Sequence, residues 1–263
     1  IRITYFTDPI CSTCWGVEPQ LRKLKLEYGD YFDIEYFMGG LLPSWEIYNS
    51  GGISKASDVA PHWDEVSAHF EMPIDGDVWL EDPLHSSYPP SVAFKAAQLQ
   101  GETLALNFLR NIREKVFLEK KNITKWEYLA QAALETGLDL ARFKNDYEGQ
   151  AQNLFQADLT FAQQMGVRGF PTFFFMDAEL NRLTVYGFRP YDLFEQTLLK
   201  LYPQASKKTI DPNEVFQHYP SLTTKEFSLL TERDFHAAEM ELESIFSQGA
   251  LQKLSTKNGN IWR

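Results

Sequence analysis

The chain of 263 residues has two cysteines, Cys11 and Cys14, and only Ser12 and Thr13 stand between them. Ahead of the pair, Ile1 to Phe6 alternates apolar and polar residues and then turns apolar, as a partly buried strand does. Behind it, Trp15, Val17, Leu21, Leu24 and Tyr28 suit one helical stripe, with Pro19 expected to kink that helix. A C-x-x-C at a strand-to-helix junction lets the two sulfurs meet across the first helical turn. The thiolate is the form that attacks a disulfide. The free N–H groups and positive dipole end at a helix start favour such an anion at Cys11. Cys11 is therefore the expected nucleophile, with a lowered pKa. Cys14, one turn further in, is placed to resolve a mixed disulfide. A half zinc site is the competing reading. It needs two more ligands from His62, His69, His85, His218 and His236, none of which forms an H-x₃₋₅-H pair.

The rest of the chain supplies a frame for this pair. Phe32–Phe37 is a second strand pattern, followed by a loop of turn formers through Gly52. From Ser57 to about Met165 the periodicity is helical, with segments near 57–70, 90–100, 102–119, 124–136, 139–148 and 150–165. Strand character returns at Pro171–Met176 and Arg182–Tyr186, and Asp192–Tyr202 reads as a closing helix. Strand–helix–strand and strand–strand–helix thus flank a block of helices, which predicts an α/β thioredoxin fold with a helical insertion between its halves. The expected units are 1–56 with 166–202 for the thioredoxin fold and 57–165 for the insertion. A linker at 203–213 and a C-terminal module at 214–263 follow. In that module Thr223 and Glu226 have capping-box spacing, a second helix runs from Thr231 to Gly249, and Asn258-Gly259 predicts a type I′ hairpin turn. Helix, helix and hairpin is a small winged-helix-like layout.

A second chemical signature is Gly169-Phe170-Pro171-Thr172 at the head of the third strand. Given the upstream cysteines and the strand order, Pro171 is expected to be cis and to face Cys11. Phe170 and Thr172 would then flank a substrate, with Phe170 offering backbone to pair with it. The bland alternative is a proline opening an edge strand. Trp15 reads either as a gate for substrate or as a core residue of the first helix. Asp8 reads as a turn former or as a proton acceptor for Cys14. Arg168 reads as a solvated loop residue, and His85 stands in a proline-rich loop. Leu41, Leu42 and Trp45, with some of the insertion's aromatics, are expected to form an apolar cleft over the cysteines.

The stretches Thr7–Gly16 and Gly166–Thr172 resemble the DsbA family of thioredoxin-fold proteins, and more narrowly its FrnE-like branch of dithiol-disulfide isomerases. The resemblance implies that Cys11 is the nucleophile, Cys14 the resolving cysteine and Pro171 the cis-proline. Asp77–Trp79, Ala93–Gly101, Phe108–Asn111, Lys120–Thr124, Leu138–Leu140 and the terminal Gly259–Trp262 also resemble the YjbH/SpxH adapter family of Firmicutes. That likeness spans nearly the whole chain and implies an adapter that delivers a regulator to the ClpXP protease. The two are compatible, since such adapters share the DsbA-like fold.

The expected function is therefore a thiol-disulfide oxidoreductase or isomerase acting on protein or peptide disulfides. The alternative is an adapter with a regulator or protease partner. No cofactor is required, because electrons would come from a thiol reductant. Two cysteines placed for catalysis, not for stapling, point to a cytoplasmic protein. No secretory leader is visible, although Ile1 already stands in a strand pattern and a trimmed native start is open. A net charge of −11 argues against nucleic acid or an anionic membrane as partner, and no apolar run approaches the length of a span. From residue 207 on, seven basic and eight acidic residues give the winged-helix-like module the wrong sign for DNA.

Overall fold

The computed structural model describes residues 1–263. Strand β1 (Arg2–Thr7) leads through the cysteine loop into helix α1 (Ser12–Gly16), helix α2 (Glu18–Tyr28) and strand β2 (Asp33–Met38). Seven helices follow: α3 (Ala56–Phe70), α4 (Val78–Glu81), α5 (Tyr88–Gln98), α6 (Glu102–Leu118), α7 (Trp126–Glu135), α8 (Leu140–Glu148) and α9 (Gln150–Gln164). Strands β3 (Thr172–Met176) and β4 (Arg182–Tyr186) and helix α10 (Tyr191–Leu201) complete the first sheet layer. The chain ends with α11 (Val215–His218), β5 (Leu222–Thr223), α12 (Thr224–Thr231), α13 (Phe235–Ser247), β6 (Lys253–Thr256) and β7 (Gly259–Trp262).

The main sheet has the order β2-β1-β3-β4. β1 runs parallel to β2 and antiparallel to β3, and β4 returns antiparallel to β3 as a hairpin. This is a mixed α/β thioredoxin-like fold, with its helical block between the two halves of the sheet. α2 and α10 share an apolar layer with the sheet, built on Ile3, Tyr5, Leu24, Phe173, Phe175 and Phe194. The largest core lies in the helical block but is continuous with the sheet side, since Ile10, Trp15, Met38 and Leu42 belong to it.

Pro19 does not kink a continuous helix. The helix breaks at Val17, and Pro19 stands in the first turn of α2, where a missing N–H costs nothing. The C-terminal elements form a three-stranded sheet, order β5-β7-β6, around a small core of Phe227, Leu230, Leu242 and Trp262. Thr223 and Glu226 make the capping box reciprocally. The hairpin turn is not type I′: Lys257 and Asn258 are its central residues and neither has positive φ. Both are recruited elsewhere. Lys257 pairs with Asp64 and Asp77, and Asn258 donates to Asp64 and to the Ile74 carbonyl. α12 packs on α2, so these elements rest on the back of the cysteine-bearing helix pair. No helix is long and apolar enough to cross a membrane.

Candidate active site

β1 carries the chain into the site, and Asp8-Pro9 turns it. The Cys11 N–H donates to the Asp8 carbonyl at 3.2 Å, and Cys11 then caps α1 with extended backbone. Its sulfur accepts the Cys14 N–H at 3.1 Å, so the amide at the helix start is aimed at the sulfur, as the spacing predicts. Cys11 and Cys14 are joined as a disulfide with Cα atoms 5.1 Å apart. Cys14 is fully buried, whereas Cys11 is 4% exposed and reachable from one side only.

That side is an open cavity of about 590 Å³, a figure that includes the solvent in its mouth. Cys11, Ser12, Thr13 and Ile10 form its floor. Leu41, Leu42, Trp45, Trp63 and Trp79 form the apolar wall that the loop and insertion aromatics were expected to supply. Phe70, Phe94, Phe108 and Phe117 are core residues instead. Trp79 has an unpartnered buried indole N–H. Its ring makes T-shaped contacts with Trp45 and Trp63, at 5.9 and 5.2 Å between centroids. His62, Tyr48, Ile53 and Val59 also line the cavity. The sequence offers His62 only as a candidate zinc ligand, and no cluster of ligands gathers around it; nothing local marks Tyr48, Ile53 or Val59.

Phe170 lines the same cavity as Cys11, and the Phe170–Pro171 bond is cis. Pro171 is buried; its carbonyl accepts from Gly187, and Thr172 is tied to the Gly169 carbonyl at 2.7 Å. Thr172 is 4% exposed and opens β3, so its side chain is spent on the loop itself. The Phe170 ring lies on Gly39, where any side chain carbon would meet it at 1.9 Å. The Gly-rich loop can thus approach the proline loop only because residue 39 has no Cβ.

Trp15 is a correction. It is fully buried, donates its indole N–H to the Pro73 carbonyl at 3.0 Å and stacks on Phe117. It offers no surface to a substrate. The Arg110 guanidinium lies 4.4 Å over its ring. Arg168 is exposed, and His85 is exposed beside Thr124, away from the cavity.

Asp8 does more than turn the chain. It is fully buried, and its carboxylate accepts from the Ile10 N–H at 3.0 Å, the Leu41 N–H at 2.7 Å and the Ser87 hydroxyl at 2.8 Å. Burial pushes its pKa up to about 6, against the pull of these donors and of Arg113. Arg113, also buried, donates to the Asp8 carbonyl and the Thr7 hydroxyl and pairs with Glu18. No hydrogen bond joins the Asp8 carboxylate to Cys14.

A family model described as Thioredoxin matches residues 5–196. The ClpXP adapter protein SpxH of Halalkalibacterium halodurans is 34% identical over 270 residues, covering 100% of this chain and 88% of that protein. The ClpXP adapter protein SpxH of Bacillus subtilis is 33% identical, over 100% of this chain and 89% of that protein. Among solved structures, a putative protein disulfide isomerase from Nitrosomonas europaea superposes with a TM-score of 0.66 at 20% identity, over 77% of this chain and 97% of that one. The cytosolic disulfide reductase DsbM from Pseudomonas aeruginosa gives 0.61 at 22%, over 76% and 100%. At those identities the structural likeness speaks to the fold. The chain belongs to the thioredoxin family, and within it to the full-length relatives of the SpxH proteins.

Proposed function

We propose that the chain is a cytoplasmic thiol-disulfide oxidoreductase or isomerase that acts on protein disulfides through Cys11 and Cys14. One observation carries this reading: Cys11, the accessible end of the disulfide, lines an apolar cavity that Phe170, the residue before the cis-proline, lines as well. In the reduced protein, the Cys11 thiolate attacks one sulfur of a substrate disulfide. A mixed disulfide forms, and the first substrate thiolate leaves. Cys14 then attacks the Cys11 sulfur, which releases the second substrate thiolate and gives the Cys11–Cys14 disulfide. Two electrons pass to the substrate, and an external thiol reductant returns the pair to the dithiol. In isomerisation the released substrate thiolate attacks another substrate disulfide, and the thiolate freed there attacks the mixed disulfide and returns Cys11 as a thiolate, with no net change of electrons. Phe170 makes no backbone hydrogen bond of its own, which suits it to hold an extended substrate segment. Phe170 flanks that segment, Thr172 braces the loop through its bond to the Gly169 carbonyl, and Pro171 shapes the loop.

A second reading is favoured by the two SpxH relatives, which match the chain end to end and are named ClpXP adapters. In it, the protein binds a regulator and a protease component, and the cysteines act as a sensor. The test compares wild type with the double variant Cys11→Ser, Cys14→Ser. Turnover of insulin disulfides with a thiol donor that disappears in the variant supports the exchange reading. Absence of turnover in wild type, together with capture of ClpX or a regulator, overturns it in favour of the adapter.

A further inference from the structure

Asp8 is a buried ionisable group that the exchange steps do not use. Three features mark it as more than a turn residue. Its carboxylate gathers donors from three distant places: the cysteine loop (Ile10), the Gly-rich loop (Leu41) and the start of α5 (Ser87). Ser87 passes the link on, because its hydroxyl accepts from the Leu42 N–H at 3.0 Å and its own N–H donates to the Leu42 carbonyl at 2.7 Å. Leu41, Leu42 and Ile10 are all walls of the cavity over Cys11. The carboxylate also stands in a site that disfavours its charge, with a pKa of about 6, so its place there is held against a cost. Apolar residues in a turn here would avoid that cost but would leave the Leu41 N–H without an acceptor.

We propose that Asp8 is a positioning residue for the exchange site: by pinning Leu41–Leu42 against Ile10 it forms the apolar wall that selects substrate segments with a large apolar side chain beside the reacting cysteine. This rests on the exchange reading for the identity of the ligand as a disulfide, but the wall itself is tested by binding alone. An asparagine at position 8 keeps only one oxygen. Either Ile10, or Leu41 together with Ser87, then loses its acceptor.

The experiment uses two peptide disulfides identical except for leucine or serine beside the cysteine, and two matching peptides with serine in place of the cysteine. Exchange rates are read as the ratio of kcat/KM for the leucine and serine peptides, and affinities of the cysteine-free pair are read by calorimetry. Wild type is expected to favour leucine in both. Asp8→Asn is expected to lower that preference at least fivefold, mainly through KM. Ser87→Ala, which keeps the acid and removes the relay to Leu42, is expected to shift it the same way, and decides the matter if Asp8→Asn fails to fold. A preference unchanged in Asp8→Asn or Ser87→Ala, or absent from wild type, overturns the proposal. Wild type that binds with the leucine preference but exchanges neither peptide removes the redox reading and leaves the wall standing.

Discussion

Replacing Glu226 by alanine tests how firmly the C-terminal elements are fastened behind the cysteine helix. Glu226 is fully buried and accepts two 2.9 Å hydrogen bonds from Arg110, one to each oxygen. Arg22 stands 3.2 Å away, and the Thr223 N–H donates to the same carboxylate at 2.7 Å. Breaking a buried, hydrogen-bonded ion pair costs about 3–5 kcal/mol. Losing the return half of the capping box, the bond from the Thr223 N–H, costs about 1 kcal/mol. Arg110 keeps Glu114 at 2.6 Å and Arg22 keeps the Ser221 carbonyl at 2.7 Å, which places the pair cost at the low end. The expected loss is therefore about 4 kcal/mol, a large share of the roughly 5–15 kcal/mol that holds a domain together. Urea titration followed by fluorescence reads it as a lowered midpoint with an unchanged slope. Glu226→Gln, which keeps the cap, is expected to lose less. Replacing Arg110 and Glu226 together by apolar residues is expected to recover part of the loss, since the orphaned charge is then gone. A loss below about 1 kcal/mol for the alanine variant would refute the reasoning, because it would mean that water reaches the guanidinium as soon as its partner leaves.

Asp8 gives a pH signature. Its pKa is raised on folding, from 3.8 to about 6, so the folded state favours the neutral acid. The unfolded chain loses this proton first as pH rises, and stability falls by about 3 kcal/mol between roughly pH 4 and pH 6. The groups that face it are Arg113, which opposes the rise, and Tyr48 and Tyr88, which feel its charge only when they ionise at far higher pH. Unfolding free energies of wild type and Asp8→Asn, measured from pH 4 to 7.5, are expected to diverge by that amount in favour of the variant as pH rises. Parallel curves would show that the carboxyl titrates normally. Gly16→Ala places a methyl 2.4 Å from the Phe70 ring, so it is expected to cost about 1–3 kcal/mol of stability. Phe70→Leu in the same chain should relieve part of it. An alanine variant as stable as wild type by thermal melting would contradict the packing behind α1.

What the sequence made legible is what is encoded within a few residues or in the order of elements. The C-x-x-C behind a strand placed the disulfide at a helix start, and the strand order made Pro171 readable as a cis-proline. The Thr223–Glu226 spacing predicted its cap. The residues that went unread act over long separations. Asp8 meets Ser87 across 79 residues and Leu41 across 33, and Arg110 meets Glu226 across 116. A polar residue with no local partner looks the same in the sequence whether it is solvated or buried in such a network. Trp15 was ambiguous for the same reason, because its fate is set by Pro73, Phe117 and Arg110, none of them near it in the chain.

The hairpin turn makes the converse point, that a clear local signal yields when its side chains are more useful elsewhere. Asn258-Gly259 has the type I′ preference, yet Asn258 spends its amide on Asp64 and Ile74, and Gly259 sits at φ 139° with the Pro73 ring 3.2 Å from where a Cβ would stand. Pro73 is also the residue whose carbonyl holds the Trp15 indole. One short segment, Pro73–Asp77, is therefore gripped from two sides, by the helix that carries Cys14 and by the last hairpin of the chain. On the other side of the same helix pair, Arg110 stacks on Trp15 and clamps Glu226. The C-terminal elements thus reach the ring next to Cys14 by two independent routes, one through the buried Glu226 and Arg110 and one through the surface contacts of Lys257 and Asn258 with the 73–77 segment. A change in the cysteine helix that moves Trp15 must disturb at least one of them, whichever of exchange or adapter work the protein performs.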